Sequence, residues 1–485
     1  MNPLDNRGDW EDIEKFPQNR TLYVDQFTED GPISAQDRQV LQTGNLEDVF
    51  YHFKPDMDVA LQNEEGETVT EHFKFRSLED FEDEQLIDQS ELLQEAFQKV
   101  EECNDIIWQL ERSKSLPNAL SGETIEARVA LRNKAEMNLQ YNLITVHDAI
   151  RPLEVAYRTL DAFFANTGER EASFVGLMNV RKKELLTSDS EDTHAVKKEL
   201  EQYYDRLDLT GSYSLFVIPG YLGDADVIRR WGNVAYKNKV ILVTDFEDIK
   251  DFKELKEALS QAHLQGQDLS MANVIMTCNY LLGRRKSELA GEDDDLYFPG
   301  SGALAGRMVN VEEVNIAQGV VGKEYGVLDG VKGTRMELLK AEIEALIDWG
   351  VIPMVEDDGQ TMAFSNRSLY NGANISLQEY PIVRVFDWVK KVLMNYMHEI
   401  SLETWDPYKS SQKLKDKIQR FLNHYRGYKN LFSNYKLGDP VQDPSSKIVT
   451  VDISITPFFV GKNFTIKLTA DDKKNVGAET IEEDN

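Results

Sequence analysis

The sequence predicts an α/β protein: a buried mixed sheet in the middle of the chain, an acidic helical region before it and a β-hairpin near the C-terminal end. Three observations carry this. Short apolar runs of strand length, Phe174-Val175-Gly176-Leu177, Ser214-Leu215-Phe216-Val217-Ile218 and Val240-Ile241-Leu242-Val243, alternate with helical patterns, as expected of strands covered on both faces. Leu93, Phe97, Val100, Cys103, Ile107 and Leu110 recur at intervals of three and four beside Glu91, Glu95, Glu101, Glu102 and Asp105, one apolar and one acidic helix face. Val449, Val451, Ile453 and Ile455 alternate with polar residues, as do Phe464, Ile466 and Leu468, with Gly461-Lys462-Asn463 between them, the pattern of two strands and a turn.

Four regions follow along the chain. Residues 1–45 show no sustained periodicity apart from Thr21-Leu22-Tyr23-Val24 and read as an extended arm, either disordered or carrying a strand that pairs with a partner. Residues 46–170 form the acidic helical region. Ser77-Leu78-Glu79-Asp80 there resembles a capping box, and a second long helical stretch runs from about Thr124 to Ala165, interrupted near Pro152 and stopped by Gly168. Residues 171–400 form the α/β core, with helical patterns at Thr193–Arg206, Phe252–His263, Arg335–Trp349 and Pro381–Ile400. Residues 401–485 hold a basic helix over 411–424, the hairpin and an acidic tail.

Composition narrows the function. The 485 residues include 54 Lys and Arg against 85 Asp and Glu, a net charge of −31, which a phosphate backbone would repel, so nucleic acid is not an expected partner. Residues 1–100 alone hold 25 acidic and 8 basic side chains, a net of −17. Two cysteines, Cys103 and Cys278, exclude a disulfide scaffold and a Cys-rich zinc site. The start lacks a basic and apolar leader, and no apolar stretch reaches the ~18 residues of a membrane span, so a cytoplasmic protein is expected, without direct membrane insertion.

Catalytic motifs are not found. Gly300-Ser301-Gly302-Ala303-Leu304-Ala305-Gly306 has the look of a dinucleotide turn, but the acidic Glu292–Asp295 precedes it where a buried strand is required; a loop with close backbone packing is the reading preferred. Ser410-Ser411-Gln412-Lys413 has serine–lysine spacing without a companion motif. The histidines lack ligand spacing. No catalytic residue, cofactor or metal is therefore expected. Residues 401–440 hold eight basic and four acidic side chains among seven aromatics. With Leu414, Ile418 and Phe421 on one helical face, this reads as a docked amphipathic helix. Its basic cluster, Lys413, Lys415, Lys417 and Arg420, then faces outward and, in so acidic a protein, reads as a complementary self-association patch.

Four co-linear blocks resemble the large contractile-sheath subunit of bacterial type VI secretion systems: Leu153–Leu160 (LEVAYRTL) with Val180–Leu185 (VRKKEL), Asn273–Met276 (NVIM) with Leu281–Arg284 (LLGR), Leu346–Val355 (LIDWGVIPMV), and the basic helix with the terminal strands. They span roughly residues 145–470. Phe73–Phe81 (FKFRSLEDF) is more similar to an element of the small sheath subunit, and the family's tryptophan-glycine-asparagine motif is replaced by Tyr297–Gly302, departures that suggest a divergent, Bacteroidetes-type lineage. The resemblance implies a non-enzymatic protomer that self-associates into helical tubules. Its implied partners are a small sheath subunit (TssB/VipA-like), an inner tube protein (Hcp-like), a baseplate and an AAA+ unfoldase for recycling. Its inter-subunit strands would be the segments holding Val449, Val451, Ile453 and Ile455, and Phe464, Ile466 and Leu468. Two alternatives stay open: the sheath of a related contractile particle such as a phage tail, and an α/β enzyme built on 210–330, which a ligand near Gly300–Gly306 would favour.

Overall fold

The computed structural model describes residues 19–484 except 113–123, 169–174, 312–315, 400–404, 428–429, 444, 446–447, 459–464 and 470–479. It divides into two compact units, Met1–Glu403 and Thr404–Asn485.

The first unit opens with β1 (Thr21–Asp25) and the short β2 (Leu41–Gln42), then α1 (Leu46–Phe53) and an antiparallel hairpin of β3 (Asp56–Gln62) and β4 (Thr68–Lys74). The capping box at Ser77 opens only a single 3-10 turn, Leu78–Phe81, where the Asp80 carboxylate accepts from the Ser77 amide at 2.9 Å. Three helices follow: α2 (Asp83–Gln89), α3 (Glu91–Arg112) and α4 (Ile125–Asn166). The periodic residues of α3 face inward as expected, with Leu93 and Cys103 buried and Glu91, Glu95, Glu101, Glu102 and Asp105 exposed. α4 starts at a Thr124 cap whose hydroxyl accepts from the Ala127 amide at 3.1 Å. It runs unbroken through Pro152, correcting the expected interruption. Leu139, Leu143, Val146, Ile150, Leu153, Tyr157 and Leu160 are all buried, so packing on both sides of the proline outweighs the missing backbone hydrogen bond.

The α/β portion alternates as predicted: β5 (Val175–Asn179), α5 (Glu191–Tyr204), β6 (Leu215–Val217), α6 (Ala225–Asn238), β7 (Ile241–Asp245), α7 (Phe252–Ala262), β8 (Val274–Cys278). Asp224 and Asp251 cap α6 and α7 by accepting from first-turn amides. Then come the ribbon β9 (Leu281–Arg284) and β10 (Leu296–Phe298), α8 (Ser301–Val311), α9 (Gly322–Tyr325), α10 (Lys340–Asp348), β11 (Ile352–Asp357), β12 (Gln360–Ala363) and α11 (Tyr380–Glu399).

One eight-stranded sheet organises the unit, in the order β12-β11-β8-β7-β6-β1-β5-β2. Its six inner strands are parallel, and β12 and β2 close the two edges antiparallel. β1, β5, β6, β7 and β8 are buried throughout, which is why they read as apolar runs rather than alternations.

The position of β1 corrects the extended-arm reading of 1–45 over residues 19–45, the remainder lying outside the described residues. Tyr23 lies opposite both Leu177 and Val217, so this segment sits inside the sheet of its own chain. Tyr23 meets Phe163 of α4 edge-on at 5.5 Å between centroids, and the Asp25 carboxylate pairs with Lys182 at 2.8 Å. Its partners lie about 150 and 190 residues away in sequence, beyond the reach of any local pattern.

The second unit holds α12 (Lys409–His424), β13 (Asn434–Leu437), β14 (Val441–Gln442), β15 (Val449–Thr450), β16 (Ile453–Thr456), β17 (Thr465–Thr469) and β18 (Thr480–Asp484). The continuous hydrophobic core, from Leu22 to Val383, belongs to the first unit alone.

Candidate assembly strands and the ionic hub

The expected C-terminal hairpin does not form as read. The stretch around Val449–Ile455 and the stretch around Ile466 and Leu468 do not pair with each other. β16 pairs antiparallel with β13, Ile455 opposite Tyr435 and Ile453 opposite Leu437. β15 pairs with β14, and β17 with β18, Ile466 opposite Glu483 and Leu468 opposite Ile481. The intended turn, Gly461-Lys462-Asn463, and Phe464 lie outside the described residues. The physical reason is competition for partners: β13 pairs along the whole of β16 and β18 along β17, a choice between strands that alternation within one stretch does not encode. β13 lies in the basic segment after the helix read over 411–424, and β18 in the acidic tail, where neither shows a strand pattern of its own.

The alternation itself is real. Val449, Val451, Ile453 and Ile455 are half-buried, and Thr450, Asp452, Ser454 and Thr456 are exposed. The three C-terminal pairings are each two-stranded, with outer edges that no other described strand pairs. Two-stranded ribbons are marginal by themselves in water, and a third strand or a packed face completes them. For β13–β16 part of that face is α12, where the Tyr435 hydroxyl donates to the Asn423 side chain at 2.8 Å.

On α12, Leu414, Ile418, Phe421 and Leu422 are buried, matching the apolar face read from sequence. The four basic residues do not form one free patch. Lys413, Lys417 and Arg420 are spaced i, i+4 and i+7 and share a helix face; Lys413 and Arg420 are exposed and Lys417 half-buried. Lys415 falls on another side and forms an ion pair with Asp439. Ser411 of the serine–lysine spacing donates to the Pro440 carbonyl at 3.0 Å.

The glycine-rich segment is a helix, not a loop. α8 begins at Ser301, whose amide donates to the buried Asp245 carboxylate at 2.8 Å. Gly302 and Gly306 then face α4 one turn apart: a Cβ at Gly302 would lie 2.4 Å from the Thr159 carbonyl oxygen, and one at Gly306 2.1 Å from that of Phe163. The glycines serve backbone-to-backbone packing of α8 on α4. Among the described residues, no three His, Cys, Asp or Glu side chains are placed to hold a metal ion.

An ionic hub was not foreseen. Arg284, at the end of β9, is nearly enclosed. Its Nε donates to Glu154 at 2.9 Å, its Nη1 pairs with Glu292, and its Nη2 meets His147 Nδ1 at 3.0 Å. His147 Nε2 in turn lies 2.7 Å from Asp83 Oδ1, and Arg158 joins Glu154 at 2.8 Å and Glu82 at 2.7 Å. Burial works against the Arg284 charge, but Glu292 and Glu154 outweigh it and raise the guanidinium pKa. For Glu292 too, burial opposes ionisation, and the hydrogen bonds from Arg284 and the Ser287 amide prevail and lower its pKa. The hub ties α4 to α2 and to the loop after β9. Arg284→Met is therefore expected to destabilise the first unit by about 3–5 kcal/mol, because two buried carboxylates lose their shared partner. Arg284→Lys should recover only part, since an ammonium cannot reproduce the fork. Urea unfolding reads both; wild-type stability in Arg284→Met would show the hub to be energetically idle. The i, i+4 spacing of Glu154 and Arg158 was visible in sequence; Arg284, 130 residues further on, was not.

Comparison with protein families matches residues 145–371 to the type VI secretion system TssC/VipB central domain and residues 379–482 to the TssC/VipB-like C-terminal domain. The chain belongs to the TssC/VipB family. As a TssC/VipB chain it is a subunit of a contractile sheath. The central-domain match begins within α4 and contains the whole of α8 and Arg284. Comparison with curated proteins gives no match. Among solved structures, the chain is similar to the contracted helical sheath of the anti-feeding prophage, at 14% identity and a TM-score of 0.47 over 65% of this chain and 82% of that one. It is similar also to the contracted sheath complex of an extracellular contractile injection system, PVC, at 11% identity and 0.46 over 68% and 86%. No helix among the described residues is long and apolar enough to cross a membrane.

Proposed function

We propose that this TssC/VipB chain polymerises in the cytoplasm around an inner tube, and that its C-terminal strands pair with those of neighbouring subunits while the first unit moves as a body. The observation that carries the reading is the set of two-stranded ribbons whose outer edges no other described strand pairs, with Val449, Val451, Ile453 and Ile455 half-buried. Strand addition supplies affinity through backbone hydrogen bonds and register through alternate side chains. An open edge is an aggregation hazard in a monomer and a connector in a polymer.

In this reading the chain acts without catalysis of its own. A small sheath subunit of the TssB/VipA type, an Hcp-like tube and a baseplate complete the particle, an AAA+ unfoldase recycles contracted sheath, and contraction drives effector secretion. Electron microscopy of the chain co-expressed with its gene neighbours tests this. Long hollow tubules are expected; a preparation that stays monomeric in every combination would refute the assembly reading.

The basic face of α12 supplies a second, smaller expectation. With a chain net charge of −31, stacked protomers repel unless complementary patches meet. Reversing the two exposed residues, Lys413→Glu with Arg420→Glu, should leave the melting temperature nearly unchanged and slow sheath growth or tube capture. Exposed pairs contribute only about 0.2–1 kcal/mol each, but a tubule repeats them in every subunit. Lys415 is left in place because its partner is Asp439. Normal assembly by the double variant would make this face a solvated one.

A further inference from the structure

After β12 the chain closes a small loop over residues 368–378. Its ends are fastened together: the Ser368 amide donates to the Gln378 carbonyl at 2.9 Å, and the Ser368 hydroxyl donates to the Leu377 carbonyl at 2.9 Å. Before its bend the loop lies beside the residues that follow α7. The Gly266 amide donates to the Leu369 carbonyl and the Asn371 amide to the Gly266 carbonyl, each at 3.0 Å. Tyr370, between these bonds, is buried.

The Tyr370 ring decides which residue can stand at 372. A Cβ there would collide with the Tyr370 hydroxyl oxygen and ring carbon Cζ, so glycine is what fits while the ring keeps its place. Packing therefore sets a glycine directly after an asparagine, the single Asn–Gly pair of the chain. Asn371 is exposed, whereas Gly372 is buried. Among the described residues, no hydrogen bond engages the Asn371 side chain or the Gly372 amide. The Gly372 carbonyl is held, accepting from the Gln378 side chain at 3.2 Å.

We propose that Asn371 is a self-modification site, converting without an enzyme to aspartate and isoaspartate. The Gly372 amide nitrogen, which no Cβ of its own residue hinders, loses its proton and attacks the Asn371 side-chain carbonyl carbon. A carbon–nitrogen bond forms there, the bond to Nδ2 breaks, and that nitrogen leaves with protons from solvent as ammonia. Water then opens the cyclic imide. Opening at the side-chain carbonyl gives aspartate, and opening at the backbone carbonyl gives isoaspartate, whose peptide link runs through the former side chain. The net change is amide plus water to carboxylate plus ammonium, with no oxidation or reduction. Isoaspartate lengthens the backbone by one methylene inside a loop whose ends are fastened, so the pairing of Tyr370 with Gly266 should loosen. The inference does not rest on the sheath assignment.

The test incubates the purified full chain beside a synthetic peptide of residues 366–380 in one buffer. Digestion and mass spectrometry then read the exchange of amide nitrogen for oxygen at residue 371. An isoaspartyl methyltransferase with labelled S-adenosylmethionine reads the rearranged product. Conversion of Asn371 is expected in the folded chain as in the peptide. In Asn371→Gln the methyl label at this loop should be lost, because the longer side chain closes its ring far more slowly. A folded chain whose Asn371 stays intact after the peptide has converted would overturn the assignment, as would labelling of this loop undiminished in Asn371→Gln.

Discussion

Gly306→Ala should lower the unfolding free energy of the first unit by about 1–3 kcal/mol, and Gly306→Val by more. The added Cβ would sit 2.1 Å from the Phe163 carbonyl oxygen, a backbone atom of a long, buried helix that has nowhere to retreat. Overpacking of a filled core costs about this much, and it outweighs the roughly 1 kcal/mol that alanine otherwise gains over glycine inside a helix. Gly302→Ala meets the Thr159 carbonyl at 2.4 Å on the same contact, so the two changes should not add: once α8 has been displaced from α4, the second methyl costs less. Urea unfolding followed by circular dichroism measures it, a lower midpoint at unchanged slope being the expected form. A Gly306→Ala chain as stable as wild type would mean that α4 and α8 stand further apart than described.

Removing residues 447–469 should leave the first unit folded and abolish polymerisation. The deletion takes out β15, β16 and β17, and with them the partners of β14, β13 and β18. The eight-stranded sheet and the continuous core, which ends at Val383, are untouched. The two measurements are the far-ultraviolet spectrum with a thermal melt, expected to stay close to wild type, and electron microscopy of co-expressed material, expected to show no tubules. Tubules built by the truncated chain would assign these strands to the subunit's own stability and return the linking role to another surface.

The two results probe parts of the chain that were legible to different degrees. The apolar faces of α3 and α12 and the strand runs at 215–218 and 240–243 were read correctly because burial of one face, or of both, imposes a period on the residues themselves. Gly302 and Gly306 were recognised as unusual, and close backbone packing was the right physical idea. That the element is a helix, and that it lies on α4, came from the structure. The candidate site fared less evenly: the alternation of Val449 to Ile455 survives as half-buried and exposed positions, whereas its strand partners were misassigned.

By itself, the sequence determined the α/β class, the amphipathic, acidic-faced helix α3, the buried faces of other helices and, through four co-linear blocks, the sheath family; the β3–β4 hairpin inside the region read as helical, 46–170, it did not show. Each is local or cumulative along the chain, and local periodicity is what side-chain burial writes into sequence. Only the tertiary structure decided that Thr21–Asp25 is a central strand, that β16 pairs with β13, that Lys415 belongs to Asp439, and that Arg284 gathers Glu154, Glu292 and His147. The reason is physical. A short apolar strand or a single charged side chain is compatible with many partners, and the choice among them depends on which segments the whole fold brings within a few ångströms, a condition no window of neighbouring residues contains.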